Sequence, residues 1–225
     1  MYLFENVKLP LSKVFYMYIS SVINFGEDVE KDDGDFIIEK MYNHYLIESA
    51  ANTPEELLHK IKNYGLDMKG YPLNNEALFN YVYSFEDANL NGFVYTYPNR
   101  IHATPINQFE IMLERLLNNR GSNRAVANIY NGELDGKEKD IPCLNWVQAT
   151  IRDDKLVLHC MFRSNDVYGA FYSNMLFLNY FGLRLVEEYN KKDINSISFG
   201  GIDYNATSGH IYSSDINAAK KIIKK

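Results

Sequence analysis

Apolar positions fall at helical spacing through the opening of the chain. "LPLSKVFYMYISSVINFG", from Leu9 to Gly26, reads as a helix with Pro10 near its start and Gly26 past its end. The acidic run "EDVEKDDGD" predicts a loop, and "FIIEKMYNHYLIES" reads as a strand, with a helix as the alternative. "TPEELLHKIKNYG" is a short helix with Thr53 as N-cap, Pro54 in the first turn and Gly65 as its stop. "NNEALFNYVYSFED" is another helix, whereas the Tyr, Val and Thr of "GFVYTYPNRIH" predict an extended segment.

Beyond Pro105, the residues Ile106, Phe109, Met112, Leu113, Leu116 and Leu117 again recur at helical spacing, up to "NNRGSN". "RAVANIYN" predicts a strand. "CLNWVQATI" and "KLVLHCMF" are two more, joined by "RDD" as a hairpin that turns near Asp153 and Asp154. "YGAFYSNMLFLNYFGLRLVEEY" is apolar on nearly every face, the pattern of a buried helix. "INSISFGGIDYNA" and "SGHIYSSDI" read as closing strands. The order is mixed. It predicts an α/β protein in two layers, a mixed and mostly antiparallel sheet covered by helices, with residues 1–225 as one domain.

Composition narrows the function classes. Apolar residues make up 46% of 225, enough for a sizeable core. The net charge of −6 argues against a nucleic-acid surface, which is normally basic. The terminal "AAKKIIKK" is too short to reverse that and reads as a solvated tail. Two cysteines build no disulfide framework, no apolar run reaches membrane-spanning length, and "MYLFENVKLP" lacks the layout of a signal peptide. A globular protein of the cytoplasm, bound to neither membrane nor nucleic acid, is the expectation.

Candidate chemistry gathers around the hairpin. Cys143 follows Pro142, which disfavours helix and turns the backbone at the strand entrance. The hairpin folds Arg163 back towards Cys143, and a nearby guanidinium favours the nucleophilic thiolate. Cys160, inside the apolar "LVLHCMF", fits a buried structural role. "RSND" offers a cation, a hydroxyl and an acid at a strand exit; Arg163 and Ser164 suit a phosphate. Asn174 lies in the apolar helix, where a buried amide must find partners. It either caps a neighbouring loop or reads a polar ligand edge. His210 and Tyr212 share one side of a strand, where they either decorate the surface or donate to a sugar hydroxyl. The five histidines form no metal-ligand cluster, so no metal is expected.

Taken in order, these residues resemble thymidylate synthase, in particular its short archaeal-type branch. The resemblance spans Phe93 to Asp215 and is strongest from Asn123 to Asn174. The "PC" and "RSND" motifs stand at family spacing, twenty residues from Cys143 to Arg163. "SNRAVA" matches the family's arginine strand, with Cys143 nineteen positions beyond Arg124. Gln148 follows the cysteine as the family's Gln does, Asn174 stands at the pyrimidine-reading Asn, and "HIY" matches the nucleotide-binding His and Tyr. The resemblance implies that Cys143 attacks C6 of the uracil of dUMP, that Arg163 and Ser164 hold the phosphate, and that Arg124 reaches it from the other subunit of a homodimer. It also implies that Asn174 contacts N3 and O4, that His210 and Tyr212 bind the sugar 3′-hydroxyl, that Asp166 meets the pterin, and that Tyr97 helps remove the C5 proton. The co-substrate would be 5,10-methylenetetrahydrofolate or methylene-tetrahydromethanopterin.

The chain also departs from the family. The paired arginine is Asn123–Arg124, the N-terminal loop reads "EKDDGD" without arginine, and Pro98 stands where glycine follows the tyrosine. Glu76 and Glu86 are the candidates for the general base. Two alternatives follow: a hydroxymethylase that quenches the same adduct with water, and a non-catalytic nucleotide-binding homologue with a depleted phosphate clamp.

Overall fold

The computed structural model describes residues 7–32, 34–64, 71–103 and 105–224. Six strands form one open sheet in the order β1-β2-β6-β5-β4-β3. They are β1 (Glu27–Glu30), β2 (Phe36–Ile47), β3 (Val126–Asn128), β4 (Leu144–Arg152), β5 (Lys155–Asp166) and β6 (Ser198–Tyr212). Every neighbouring pair is antiparallel except β5 and β6. The parallel pair is joined by the long helix α7 (Phe171–Asn190), as a parallel connection requires. The sheet is mixed and mostly antiparallel, as the pattern predicts.

The hairpin between β4 and β5 forms where expected. Asp153 and Asp154 both take positive φ, 49° and 59°, and Arg152 pairs with Lys155. This is the primed two-residue turn, whose twist matches the flanking strands, and Asp is among the few non-glycine residues that tolerate it.

Alternation then decides which face is covered. On β5, Leu156, Leu158, Cys160 and Phe162 are buried, while Val157, His159 and Met161 are half-exposed. α7 lies against the apolar side and is buried from Phe171 to Leu183 without interruption. Its apolar side chains each contribute roughly 1.5–3 kcal/mol on burial. Gly182 permits the close approach, since a Cβ there would lie 2.1 Å from Phe199 Cε2. α1 (Leu11–Phe25) packs beside α7 on β2 and β6. The opposite face carries a polar row across four strands: His159 Nδ1 and His44 Nε2 each lie 2.8 Å from an Asp203 oxygen, and Thr150 Oγ1 lies 2.9 Å from His159 Nε2.

The shorter helices are α2 (Pro54–His59), continued by a π turn at Lys60–Tyr64, then α3 (Asn75–Tyr83), α4 (Tyr97–His102), α5 (Gln108–Asn118), α6 (Gly132–Asp135) and α8 (Ile216–Ile223). Thr53 caps α2 by accepting from Glu56 N at 3.1 Å. The proposed stop at Gly65 lies outside the described residues.

Four expectations are corrected. Part of the acidic run is strand β1, because an edge strand with one ladder needs no apolar face. The segment around "YTYPNRIH" is helical: Thr96 Oγ1 accepts from Asn99 N at 3.1 Å and Pro98 occupies the first turn, so capping overrides β propensity. The two closing strands are one 15-residue strand, β6. The lysine-rich tail is α8, whose Ala219 and Ile222 are buried and which packs on α1.

Candidate active site

The ends of β5 and β6, the β1–β2 hairpin, the start of α7, and residues of the segments 91–98 and 138–143 line a cleft of 1430 Å³. Cys143, Arg163, Ser164, Asp166, Asn174, His210, Tyr212 and Tyr97 all line it.

Backbone pairing builds its centre. Arg163 N donates to Cys143 O at 2.8 Å, so the entrance of β4 and the exit of β5 are locked together. The Arg163 guanidinium then works on the same segment. Nε donates to Pro142 O at 3.1 Å, Nη2 to Ile141 O at 2.8 Å, and Nη1 to Ser164 Oγ at 3.0 Å. Ser164 Oγ lies 3.6 Å from Cys143 Sγ. The expected approach of arginine to thiol is therefore made through the serine hydroxyl. Cys143 is half-buried and reachable. Cys160 is buried at mid-strand, and burial pushes its thiol pKa up, as expected of a structural cysteine.

α7 brings Asn174 to the cleft wall at 6% exposure. Its Oδ1 accepts from Tyr81 Oη at 2.6 Å and its Nδ2 donates to Asn165 Oδ1 at 3.4 Å. Asn165 Nδ2 donates to Tyr204 Oη at 3.1 Å, and Tyr204 Oη lies 3.2 Å from Tyr18 Oη. The amide is satisfied and held, yet each of its polar atoms keeps bonding capacity, since an amide carries two N–H groups and two lone pairs.

Asp166 ends β5. Its Oδ1 accepts from Tyr168 N at 3.1 Å and Gly169 N at 2.9 Å. A Cβ on residue 169 would lie 2.3 Å from Asp166 Oδ2, so a larger residue there would push that carboxyl aside. Burial holds the Asp166 carboxyl above its usual pKa, with the backbone N–H groups opposing. His210 is lowered to about 4, first by burial and then by Lys31 and Arg163, so it is neutral near pH 7. Tyr212 Oη accepts from Lys31 Nζ at 2.8 Å.

Tyr97 Oη accepts from Leu144 N at 3.4 Å, next to the cysteine, and burial drives its phenol well above the usual pKa. Tyr95 stacks on it with ring centroids 6.2 Å apart and donates to Ile141 O at 3.4 Å. Tyr81, Tyr95, Glu39 and Lys31 also line the cleft. Sequence reasoning assigned Tyr81, Tyr95 and Glu39 no role, and no motif marks them. Lys31 lies in the run that the sequence reads as an acidic loop, where it stands out as an unaligned cation able to join the phosphate clamp.

Gln148 and Arg124 lie elsewhere in this chain. Gln148 Nε2 donates to Asn123 O at 2.7 Å on β4, and Arg124 is exposed ahead of β3. Glu76 is exposed on α3, and Glu86 accepts from Tyr180 Oη at 2.8 Å and pairs with Arg184 at 2.9 Å. Neither glutamate lines the cleft; those that do are Glu30, Glu39 and Glu138. Among the described residues no cluster of His, Cys, Asp or Glu could hold a metal ion, and no helix is long and apolar enough to cross a membrane.

No protein-family model matches the chain. It is similar to curated archaeal proteins named "Putative thymidylate synthase". The protein of Methanococcoides burtonii is 32% identical over 219 residues, covering 95% of this chain and 92% of the relative. That of Methanothermobacter marburgensis is 26% identical over 210 residues, 92% of each chain. That of Methanocaldococcus jannaschii is 34% identical over 152 residues, 63% of this chain and 66% of the relative.

Proposed function

The chain belongs to the thymidylate synthase family, and from that premise we propose that it transfers a one-carbon unit from a reduced pterin to C5 of dUMP, giving dTMP. The observation that carries this reading is the grouping of Cys143, Ser164 and Arg163 in one cleft with Asn174.

Cys143 Sγ, as thiolate, bonds to C6 of the uracil, and the ring becomes an enolate with carbanion character at C5. C5 then takes the one-carbon unit. Loss of the C5 proton expels the pterin amine from the new carbon and leaves an exocyclic methylene; hydride from the reduced pterin adds to that methylene as the Cys143–C6 bond breaks, giving dTMP, the dihydropterin and the free thiolate. Asn174 offers a remaining N–H to O4 and a remaining lone pair to N3–H, which suits uracil rather than cytosine. Arg163 and Ser164 receive the phosphate, with Lys31 of the β1–β2 hairpin as a further cation on the cleft wall. Tyr97, whose Oη lies against Leu144 N beside the cysteine, helps remove the C5 proton. Asp166, a carboxyl that burial makes easier to protonate, and Phe93, 67% exposed at the rim, fit a pterin with a polar edge and a flat apolar face. His210 and Tyr212 bind the sugar 3′-hydroxyl.

In this reading the protein acts as a cytoplasmic homodimer of single-domain subunits. The face of the sheet that carries the His44, Asp203, His159 and Thr150 row is then the subunit interface, and Arg124 reaches the partner's phosphate. Mixing an Arg124→Ala protein with a Cys143→Ala protein restores part of the activity if that is so.

The direct test is incubation with 5-fluoro-dUMP and methylenetetrahydrofolate or methylene-tetrahydromethanopterin, read by intact mass. A covalent ternary adduct on Cys143 is expected with one of the donors. Formation of 5-hydroxymethyl-dUMP from dUMP would favour hydroxymethylation instead. Absence of any adduct, with dUMP and deoxyuridine binding alike by calorimetry, would favour a non-catalytic nucleotide-binding protein.

A further inference from the structure

On β6, Ser208, His210 and Tyr212 alternate onto one side of the strand, and all three line the cleft. The antiparallel register sets Glu39 of β2 directly opposite His210, and Ile37 opposite Tyr212. Directly opposed residues share a face with their Cβ atoms about 4.5–5.5 Å apart, and Glu39 accordingly lines the same cleft. Ser208 is buried and donates through Oγ to Glu39 Oε1 at 2.5 Å. That bond ties the carboxylate to β6.

Donors stand beside it, and the carboxyl of Asp166, which faces His210 from β5, is already bonded through Oδ1 to two backbone N–H groups. Lys31 Nζ donates to Tyr212 Oη, which leaves the phenolic proton for another acceptor. His210 is 5% exposed, and its buried Nδ1 has no partner. A hydroxyl ligand accepts bonds and also donates one, and its own proton needs an acceptor. Ser208 engages one oxygen of Glu39, and a carboxylate accepts through both.

We propose that Glu39, held by Ser208 opposite His210, is a specificity-determining residue that accepts the hydrogen bond of the nucleotide's sugar 3′-hydroxyl. The inference rests on the nucleotide reading above and adds to it a carboxylate that selects for the hydroxyl. A nucleotide without that hydroxyl leaves Glu39 facing a carbon and gains nothing from it.

Calorimetric titration of the full chain with dUMP and with 2′,3′-dideoxyuridine 5′-monophosphate tests it. Glu39→Gln should weaken dUMP about tenfold or more, the scale of a hydrogen bond to a charged group, and leave the dideoxynucleotide unchanged. Ser208→Ala should give the same pattern with a smaller loss, and it decides the matter should Glu39→Gln fail to fold. Equal loss for both nucleotides, or loss for neither, overturns the role of Glu39 while leaving the nucleotide reading intact. A wild-type protein that binds neither nucleotide overturns both.

Discussion

The middle of β5 and β6 and the ends of the same two strands face opposite demands. In the middle, Leu158, Cys160, Phe162 and Tyr204 are fully buried between sheet and helices. At the ends, Arg163, Ser164, Asn165, Asp166, Ser208, His210 and Tyr212 line the cleft. The ladder between the strands runs through both regions, from Lys155↔Ser198 to Asp166↔His210. Backbone pairing is thus shared, and side-chain chemistry alone divides a stabilising half from a working half. Substitutions in the middle should lower stability and spare chemistry, and substitutions at the ends should do the reverse.

The two cysteines give the sharpest test. Cys143→Ser should abolish the 5-fluoro-dUMP adduct and lower C5 hydrogen release by about three orders of magnitude or more, with a near-native unfolding midpoint. Cys160→Ser should retain the adduct and lose about 1–3 kcal/mol in denaturant unfolding, because it places a hydroxyl in an apolar strand. An adduct that survives in the first variant and vanishes in the second would erase the division.

Arg163→Lys should come next in size. A lysine is a point charge and cannot serve Ile141 O, Pro142 O and Ser164 Oγ together. The expected outcome is a ten- to hundredfold weaker dUMP affinity by calorimetry. Asn174→Asp should move the ratio of kcat/KM for dUMP over dCMP towards dCMP by about tenfold or more. Unchanged discrimination would take base reading away from α7.

His210 sharpens the comparison through pH. Its folded pKa of about 4 lies below the usual 6.5. Between those values the unfolded chain binds the proton and the folded chain does not, so stability rises with pH up to about 6.5 and falls with acid. The contribution is at most about 3 kcal/mol. His210→Gln should flatten that part of the curve in thermal unfolding followed from pH 4 to 7, and a profile identical to wild type would count against a buried neutral imidazole.

Much of this division is legible in the sequence. Apolar alternation through "KLVLHCMF" stops at Arg163, and that break marks where the strand leaves the core. The hairpin is legible because Asp153 and Asp154 suit its turn. The remainder was hidden for identifiable reasons. Thr96 and Pro98 do mark the start of α4, but Tyr and Val around them weigh towards a strand. β1 has no apolar face to betray it, and α8 offers only Ala219 and Ile222 as buried anchors in a lysine-rich run. Tyr81 and Glu39 reach the cleft only through tertiary placement: a helix packed on α7, and a strand register.

The hydrogen bonds from Tyr81 through Asn174 and Asn165 to Tyr204 all run in one sense. Each donor points away from Tyr81, so turning Asn174 by half a revolution would set its oxygen against that of Asn165, and turning Asn165 would set the two NH2 groups against each other. The orientation of the amide at the cleft wall is therefore a collective property, fixed as much by a phenol deep under α1 as by Asn174 itself. A change as small as Tyr18→Phe, which removes only the far terminus of that line, would be read out as blurred choice between two pyrimidines, at a place no ligand touches.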